Sequence, residues 1–244
     1  MPDVQSATVE LDEEAIVERI YEAVIDQRLA PGTKLSEAAL CEAFGVRRMR
    51  IRRSLLLAAS REVVELRSNK GAFIARPTAK QARDVFEARL ALEPNIARLA
   101  VERGTALGIR TLQAHVVKES TARNNGNRRE AIRLSGQFHT TLAQIAGNAV
   151  MLRMVKDLVT RSSLIIGMFG SSGVTHCRDD EHAGIIDALR SGDSDLAARL
   201  MTGHLSHIKE HLHLEAKQIP PTDLIAVFRQ RSSVQLDDGV ATKT

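Results

Sequence analysis

Residues 35–55 read LSEAALCEAFGVRRMRIRRSL and predict two short helices separated by a glycine. Ser36 is a favourable N-cap for the first helix. Gly45 suits the left-handed conformation in which helices commonly end. The second helix is expected at residues 47–60, because apolar residues recur there at three- and four-residue spacing. Two such helices joined by a tight turn are typical of a helix-turn-helix motif.

The predicted helix at residues 47–60 has two contrasting faces. Ile51 and Leu55 lie on its apolar side. Arg48 and Arg52 are four residues apart and share the opposite side. A basic helix face is often only a solvated surface, but in the major groove of DNA these arginines would reach guanine edges or phosphates. We therefore expect both to contact DNA.

The segments on either side of this motif complete a winged helix-turn-helix. A first helix is expected at residues 12–28, from the spacing of its apolar residues. Two short strands at residues 63–66 and 72–74 flank the turn 68–71, whose Asn and Gly are a hairpin signal. Three helices followed by a β-hairpin define the expected DNA-binding domain, residues 12–76.

Positive charge is concentrated in this region. The chain has 244 residues and a formal net charge of only +4. Residues 43–76 carry nine basic and two acidic side chains, which gives this segment a charge of +7. Such clustering indicates a polyanionic partner. The charged residues are Arg47, Arg48, Arg50, Arg52, Arg53, Arg61, Arg67, Lys70 and Arg76, with Glu62 and Glu65.

Residues 77–219 are expected to form a second, all-helical domain, so the fold class is mainly α. Pro77 marks the linker, and Thr78 with Gln81 has the spacing of a capping box. Short polar or glycine-containing stretches separate the helices. The predicted helices are residues 79–102, 106–123, 129–146, 149–169, 179–190 and 194–217.

The two ends of the chain lack this periodicity. Residues 1–11 are expected to be disordered. Residues 220–244 are expected to form a loose tail. Four apolar residues in the tail could dock on the rest of the protein: Leu224, Ile225, Val227 and Phe228.

Composition excludes several functions. Hydrophobic residues make up 43% of the chain, but no apolar run is long enough to cross a membrane. The polar, acidic start is unlike a signal peptide, so a cytoplasmic location is expected. Cys41 and Cys177 are far apart and match no disulfide or metal spacing. The chain has no phosphate-binding glycine loop, nucleophile elbow or HExxH motif, so no enzymatic activity is expected.

The winged-helix segment resembles the GntR family of bacterial transcription regulators. This resemblance implies that Arg48 and Arg52 lie on the recognition helix and that Gly71 of the wing approaches the minor groove. The residues that carry it are 35–40, 44–46, 69–74, Arg48 and Arg52. The candidate DNA-binding residues are Arg47, Arg48, Arg50, Arg52, Lys70 and Gly71.

One departure from the family concerns the recognition helix. The family commonly has Ser-Arg-Thr-Pro-Val-Arg-Glu-Ala-Leu where residues 47–55 read RRMRIRRSL. The serine N-cap is lost, so the helix should be less well capped. Arg50 and Arg53 add positive charge, which favours phosphate contacts that do not read sequence.

The second domain resembles the effector-binding FCD domain of FadR-type regulators. The resemblance implies a homodimer that binds double-stranded operator DNA, and a repressor that a small carboxylate releases. It also implies a metal-binding histidine set, although Ser135 stands where metal-binding relatives carry aspartate. The residues that carry the resemblance are 89–94, Phe138-His139, Gly147-Asn148, Glu181-His182, Ile185, 188–189, Gly192-Asp193, Met201 and His204-Leu205.

Helical phase sorts the eight histidines. His139, His182 and His204 fall on the apolar faces of three different helices and are expected to point inward. His211 is ambiguous. The remaining four are expected to point outward or to lie off the helices: His115, His176, His207 and His213.

The three inward histidines suit a divalent metal such as zinc or nickel. The alternative is that they donate hydrogen bonds directly to the ligand. Arg89 also falls on an apolar face and needs a strongly accepting partner. That partner is either Glu93 on the same face or an effector carboxylate, which the resemblance favours. The candidate effector-binding residues are Arg89, Ser135, His139, His182 and His204.

The expectation is thus a homodimeric, ligand-responsive transcription regulator that binds a near-palindromic operator. Two alternatives stay open from the residues. A small helical metalloenzyme would leave the basic winged helix unexplained, and a ligand-independent DNA-binding protein would leave the inward histidines and Arg89 unexplained.

Overall fold

The computed structural model describes residues 11–170, 181–213 and 224–229. The disorder predicted for residues 1–10, and the part of the tail beyond residue 229, lie outside these residues. The N-terminal elements form the winged helix-turn-helix that the sequence predicts. They are α1 (Glu13–Ile25), β1 (Lys34–Leu35), α2 (Glu37–Phe44), α3 (Arg48–Ser60), β2 (Val64–Arg67) and β3 (Gly71–Ile74).

The wing is an antiparallel three-stranded sheet in the order β1-β3-β2. In the β2-β3 hairpin Arg67 is opposite Gly71, and the turn between them has φ of 58° at Asn69 and 95° at Gly71. A side chain at Gly71 would meet open space, so it is the backbone conformation that favours glycine there. Strand β1, where Lys34 pairs with Phe73, was not predicted. Two residues are too few to show an alternating pattern.

Capping explains where α2 begins and ends, whereas α3 lacks a side-chain cap. The Ser36 side chain accepts a hydrogen bond from the backbone of Ala39, and Gly45 ends α2 at φ 66°. Arg47, the N-cap of α3, makes no side-chain capping bond, as expected from the loss of serine. Helix α3 is instead held by its apolar face, because Ile51 is fully buried in the domain core.

The described part of the second domain contains six helices. The Thr78 and Gln81 side chains each accept a hydrogen bond from the other residue's backbone, which confirms the predicted capping box. Helix α4 lies at the centre and packs against α6, α7, α8 and α9. The helices are α4 (Ala79–Arg103), α5 (Ala106–Asn124), α6 (Arg128–Ile145), α7 (Ala149–Phe169), α8 (Glu181–Ser191) and α9 (Ser194–Glu210).

The predicted end of α9 was wrong. The helix ends at Glu210 instead of continuing to residue 217. Leu212 forms an antiparallel bridge with Gly170, and the backbone N–H of His213 donates to the Phe169 carbonyl at 2.8 Å. These contacts tie the chain after α9 to the end of α7, and an uninterrupted helix could not make them.

The predicted end of α1 was also wrong. The residues that follow the helix contact the second domain. The helix ends at Ile25 instead of residue 28, because Gln27 adopts a left-handed backbone with φ 56°. The Gln27 amide group donates a 2.8 Å hydrogen bond to the Ser163 carbonyl of α7. A local contact between the domains therefore sets this helix end.

Part of the C-terminal segment docks on the winged helix. Helix α10 (Leu224–Arg229) packs against α2, and the Phe228 ring centroid lies 4.7 Å from that of Phe44. The Arg28 guanidinium donates to the Val227 carbonyl. Among the described helices, none is long and apolar enough to cross a membrane.

Candidate functional site

The outward face of α3 carries the predicted DNA-reading arginines. Arg48 and Arg52 are both exposed and both contact Glu37 at the start of α2. The Arg52 Nε atom lies 3.0 and 3.1 Å from the two carboxylate oxygens, and the Arg48 Nε atom lies 3.4 Å from one of them. Glu37 thus holds the two guanidinium groups side by side on the exposed face.

The other predicted DNA-binding residues occupy two positions around this face. Arg47 is exposed at the start of α3, whereas Arg50 is half-buried and donates to the Leu11 carbonyl at 3.1 Å. Lys70 and Gly71 are exposed at the tip of the wing. The start of α3 and the wing tip thus both present basic groups to solvent.

The three inward histidines meet in the second domain, as helical phase predicts. His139 on α6, His182 on α8 and His204 on α9 are each at most 3% exposed. The Nε2 atom of His204 lies 3.1 Å from that of His182 and 3.2 Å from that of His139. One nitrogen from each ring therefore points at a common centre, which is the arrangement that could hold a metal ion.

A carboxylate contacts the other nitrogen of each ring. Glu93 lies 2.6 Å from the Nδ1 atom of His139, Glu119 lies 2.8 Å from that of His182, and Glu181 lies 2.9 Å from that of His204. When Nδ1–H donates to a carboxylate, the neutral ring leaves its Nε2 lone pair facing inward. The hydrogen bonds to Glu119 and Glu181 therefore fix the tautomers of His182 and His204 that a metal needs. The sequence did not predict this arrangement.

Burial keeps the imidazoles of His139 and His204 neutral. It lowers the pKa of His139 to about 4, despite the opposing attraction of Glu93, and it lowers the pKa of His204 well below its usual range, helped by the neighbouring histidines. Burial raises the pKa of Glu93, but the attraction of Arg89 and His139 outweighs it and lowers that pKa to about 2. Neutral donors backed by ionised carboxylates are the forms that bind a divalent ion.

Two interpretations of helix faces need correction. His115 was expected to point outward, but it is half-buried, with its Nε2 atom 2.6 Å from the Leu134 carbonyl. Glu119 shares that face and is only 1% exposed. Helix α5 packs against both α6 and α8, so it has a second buried face that its sequence pattern does not reveal.

The other histidines do not join the cluster. His207 is partly exposed and lies 2.8 Å from Glu181. His211 is exposed, which settles its ambiguous phase, and His213 is exposed beyond α9. His176 lies outside the described residues.

A narrow pocket with a cavity volume of about 40 Å³ opens beside the histidine cluster. It is lined by Arg89, Ser135 and His139, three of the predicted effector-binding residues. Arg89 is buried and paired with Glu93, with 2.5 Å between Nε and Oε1. The internal partner considered from the sequence is therefore present, and Arg89 still forms part of the pocket wall. Three further basic or acidic groups line the pocket: Glu119, Arg123 and Arg128.

Comparison with known families assigns both domains. Residues 12–74 match the bacterial regulatory proteins of the gntR family, and residues 84–207 match the FCD domain. The chain therefore belongs to the GntR family of bacterial regulators and carries an FCD effector domain. It is a transcription regulator and not an enzyme, so the metalloenzyme alternative is set aside.

The curated relatives have low sequence identity to this chain and include both a repressor and an activator. The HTH-type transcriptional repressor RspR of Escherichia coli K12 is 26% identical over 183 residues, covering 75% of this chain and 80% of the relative. The Glc operon transcriptional activator of the same organism is 26% identical over 229 residues, covering 82% and 88%. The HTH-type regulator LutR of Bacillus subtilis is 24% identical over 206 residues, covering 75% and 93%.

Two solved structures share the fold. Escherichia coli McbR/YncC aligns with a TM-score of 0.72 at 16% identity, covering 91% of this chain and 98% of that one. A putative GntR regulator from Rhodococcus aligns with a TM-score of 0.70 at 18% identity, covering 81% and 95%. At identities this low, the two alignments show that the overall fold is shared.

Proposed function

We propose that this protein is a repressor that binds a near-palindromic operator as a homodimer and is released by a small organic acid. The observation that carries the proposal is the pairing of a basic winged helix with a pocket lined by arginines and a buried histidine cluster. A purely architectural DNA-binding protein has no need of such a pocket. Because its target is chromosomal DNA, we place its action in the cytoplasm.

DNA recognition would proceed from α3 and the wing. Arg48 and Arg52 would read base edges in the major groove, whereas Arg47 and Arg50 would contact phosphates. Lys70 and Gly71 would bring the wing to the minor groove. Two copies related by a twofold axis would meet two half-sites, which is why we expect a near-palindrome.

The histidine cluster is suited to a divalent ion. His139, His182 and His204 would hold the ion, and their carboxylate partners would keep the rings neutral and oriented. Zinc and nickel both accept such nitrogen donors. When bound, the ion would supply positive charge and an open coordination position that attracts a carboxylate. Ser135 supplies no charged ligand, so the chain itself leaves that position to the effector.

The arginines of the pocket would orient the acid. Arg89 is held in place by Glu93 and presents the rest of its guanidinium group to the pocket. Ser135 also lines the pocket, and its hydroxyl group can donate a hydrogen bond to a carboxylate. The pocket and the operator-binding surface are on different domains. Release of the operator therefore requires that effector binding in one domain changes the other.

The test begins with selection of an operator from random DNA duplexes, because no operator is assumed. The selected duplex, labelled for fluorescence anisotropy, should be near-palindromic and should bind two chains. Some members of a panel of small carboxylates should lower the affinity of the wild-type protein for this duplex. The same acids should leave the affinity of Arg89→Leu unchanged. Selection of asymmetric sites bound by one chain, or equal responses of both proteins to every acid, would contradict the proposal.

A further inference from the structure

The pocket beside the histidine cluster is lined by residues spread along α6. Arg128, Ile132, Ser135 and His139 follow one another on its wall, each three or four residues after the last. These spacings place them on one face of the helix. At 1.5 Å per residue, the distance between the Cα atoms of Arg128 and His139 is about 16 Å. The pocket therefore has two ends, one at the histidines and one at Arg128.

The arginines that line the pocket differ in whether an acidic side chain of the protein pairs with them. Arg89 pairs with Glu93, and Arg123 pairs with Glu119 at 2.6 Å. Within residues 11–170, 181–213 and 224–229, by contrast, the Nη2 atom of Arg128 is buried and has no hydrogen-bond partner. A buried charged donor without an acceptor is costly. An anionic group entering the pocket would provide that acceptor.

The wall between the two ends is mainly apolar. Its lining includes Ala131 and Ile132 of α6 and Val159 and Ile166 of α7, together with Ser162 and Ser163 of α7. Such a lining accommodates a carbon chain with few polar groups. The pocket thus combines a histidine end, an apolar middle and an arginine end.

We propose that the effector carries two anionic groups, one at the histidine end and the other held by Arg128. This inference rests on the proposed function, because it assumes that an organic acid is the effector. The second group is a carboxylate or a phosphate, since a guanidinium holds either with two parallel hydrogen bonds. Arg128 is then a specificity-determining residue that separates acids with two charged ends from simple acids.

The experiment measures binding of two-ended and one-ended acids to the full-length protein by calorimetry. The probes are linear α,ω-dicarboxylates of increasing length, ω-phosphono carboxylates, and monocarboxylates of matched length. The variant is Arg128→Gln. The control is Arg129→Gln, which removes the same charge from the adjacent, exposed residue of α6.

For wild type and Arg129→Gln we expect the best two-ended acid to bind about 10- to 100-fold more tightly than its one-ended counterpart, as for a hydrogen-bonded charge pair. In Arg128→Gln this ratio should fall to about one, with binding of the one-ended acid unchanged. The dicarboxylate and phosphono series identify which anion Arg128 prefers.

Two results would overturn the inference, and they differ in meaning. If one-ended and two-ended acids bind wild type equally, or if Arg128→Gln keeps the ratio, Arg128 does not hold a second anion, whereas the carboxylate effector itself survives. If no acid of any series binds, the organic-acid effector is wrong, and this inference fails with it.

Discussion

Glu37 contacts both of the arginines that we expect to read DNA. Its carboxylate touches Arg52 through both oxygens and Arg48 through one, and all three side chains are partly or fully exposed. Exposed ion pairs contribute little to folding stability. The contacts with Glu37 instead orient the two arginine side chains. Because these side chains are already restricted, they lose less conformational entropy on binding DNA.

Replacing Arg52 with alanine should weaken operator binding by about 1–3 kcal/mol, the cost of losing a base-reading contact. Arg48→Ala should have an effect of similar size. Fluorescence anisotropy on the selected operator measures both. Arg83→Ala is the control, because it removes an exposed arginine from α4, remote from α3. Wild-type affinity in both α3 variants would refute the assignment of α3 as the recognition helix.

Among the histidines, His204 is the central one. Its Nε2 atom is within 3.2 Å of the Nε2 atoms of both His139 and His182. His204→Ala should therefore abolish stoichiometric zinc or nickel in purified protein, as measured by elemental analysis. His207→Ala removes a nearby ring that faces Glu181 and should leave the metal content unchanged. The reverse result would exclude the cluster as the metal site.

The carboxylates behind the rings should affect metal affinity without touching the ion. Glu119→Gln leaves an oxygen to accept from the His182 Nδ1–H but removes the charge. We expect the zinc affinity to fall about 10- to 100-fold, which is typical for loss of such a partner. Competition with a chromogenic chelator measures it, and the exposed Glu102→Gln is the control. Equal affinities for both variants would mean that Glu119 only neutralises Arg123.

At the scale of helices and strands, the sequence predicts what a single element determines by itself. The inward direction of His139, His182 and His204 follows from helical phase, and their burial confirms it. The capping box and the glycine that ends α2 are likewise local signals. The order of α1 to α9 follows from the same periodicity, whereas α10 lies in the segment that was expected to be a loose tail.

What the sequence does not predict depends on which elements become neighbours. Glu119 shares a helix face with His115, which was expected to point outward, but α8 packs against α5 and Glu119 is buried. The early end of α1 depends on Gln27 reaching α7, and strand β1 exists only because β3 lies beside it. These contacts join distant parts of the chain, so no window of sequence contains both partners.

Helix α7 connects the effector pocket to the winged helix. Its Ser162, Ser163 and Ile166 line the pocket, and the Ser163 carbonyl accepts the hydrogen bond from Gln27. One turn beyond Ser163, the Gln27 amide lies against Gly167, where a Cβ atom would come within 2.3 Å of its oxygen. A displacement of α7 by the effector would therefore reach the DNA-binding domain through Gln27.

Gly167→Ala should change this coupling and leave both binding sites intact. The added methyl group displaces Gln27 from α7, so the effector concentration needed for operator release should shift by about 2- to 30-fold, the range found for residues that couple sites. The control is Gly203→Ala, a helical glycine with open space around its Cβ position. Equal release curves for the two variants would show that Gln27 carries no signal.

On the scale of the whole molecule, both domains are linked by more than the peptide connection between them. Leu164 of α7 belongs to the same apolar cluster as the core of the winged helix, and Arg161 of α7 pairs with Glu62 at 2.8 Å. Val227 and Phe228 of α10 belong to the same cluster, and α10 packs against α2. The winged helix thus contacts both the effector domain and the C-terminal helix, and changes in the effector domain can alter its position.

The buried histidines should also make the stability of the metal-free protein depend on pH. In the unfolded chain an ordinary histidine takes up a proton near pH 6.5, whereas folded His139 resists protonation until about pH 4, and burial also lowers the pKa of folded His204 well below its usual range. Between these values the unfolded state binds more protons, so the free energy of unfolding falls as the pH is lowered from about 6.5 to about 4.

The loss attributable to His139 is on the order of 3 kcal/mol across that range. Urea denaturation in the presence of a chelator, repeated at several pH values, measures it. His139→Gln should reduce the slope, because glutamine does not titrate, whereas the exposed His211→Gln should retain the wild-type slope. Bound metal should raise stability above pH 6.5 and make the decline below it steeper, since the ion needs neutral rings. Parallel slopes for His139→Gln and wild type would mean that folded His139 takes up its proton over the same pH range as an unfolded histidine, which would contradict the effect of burial on its pKa.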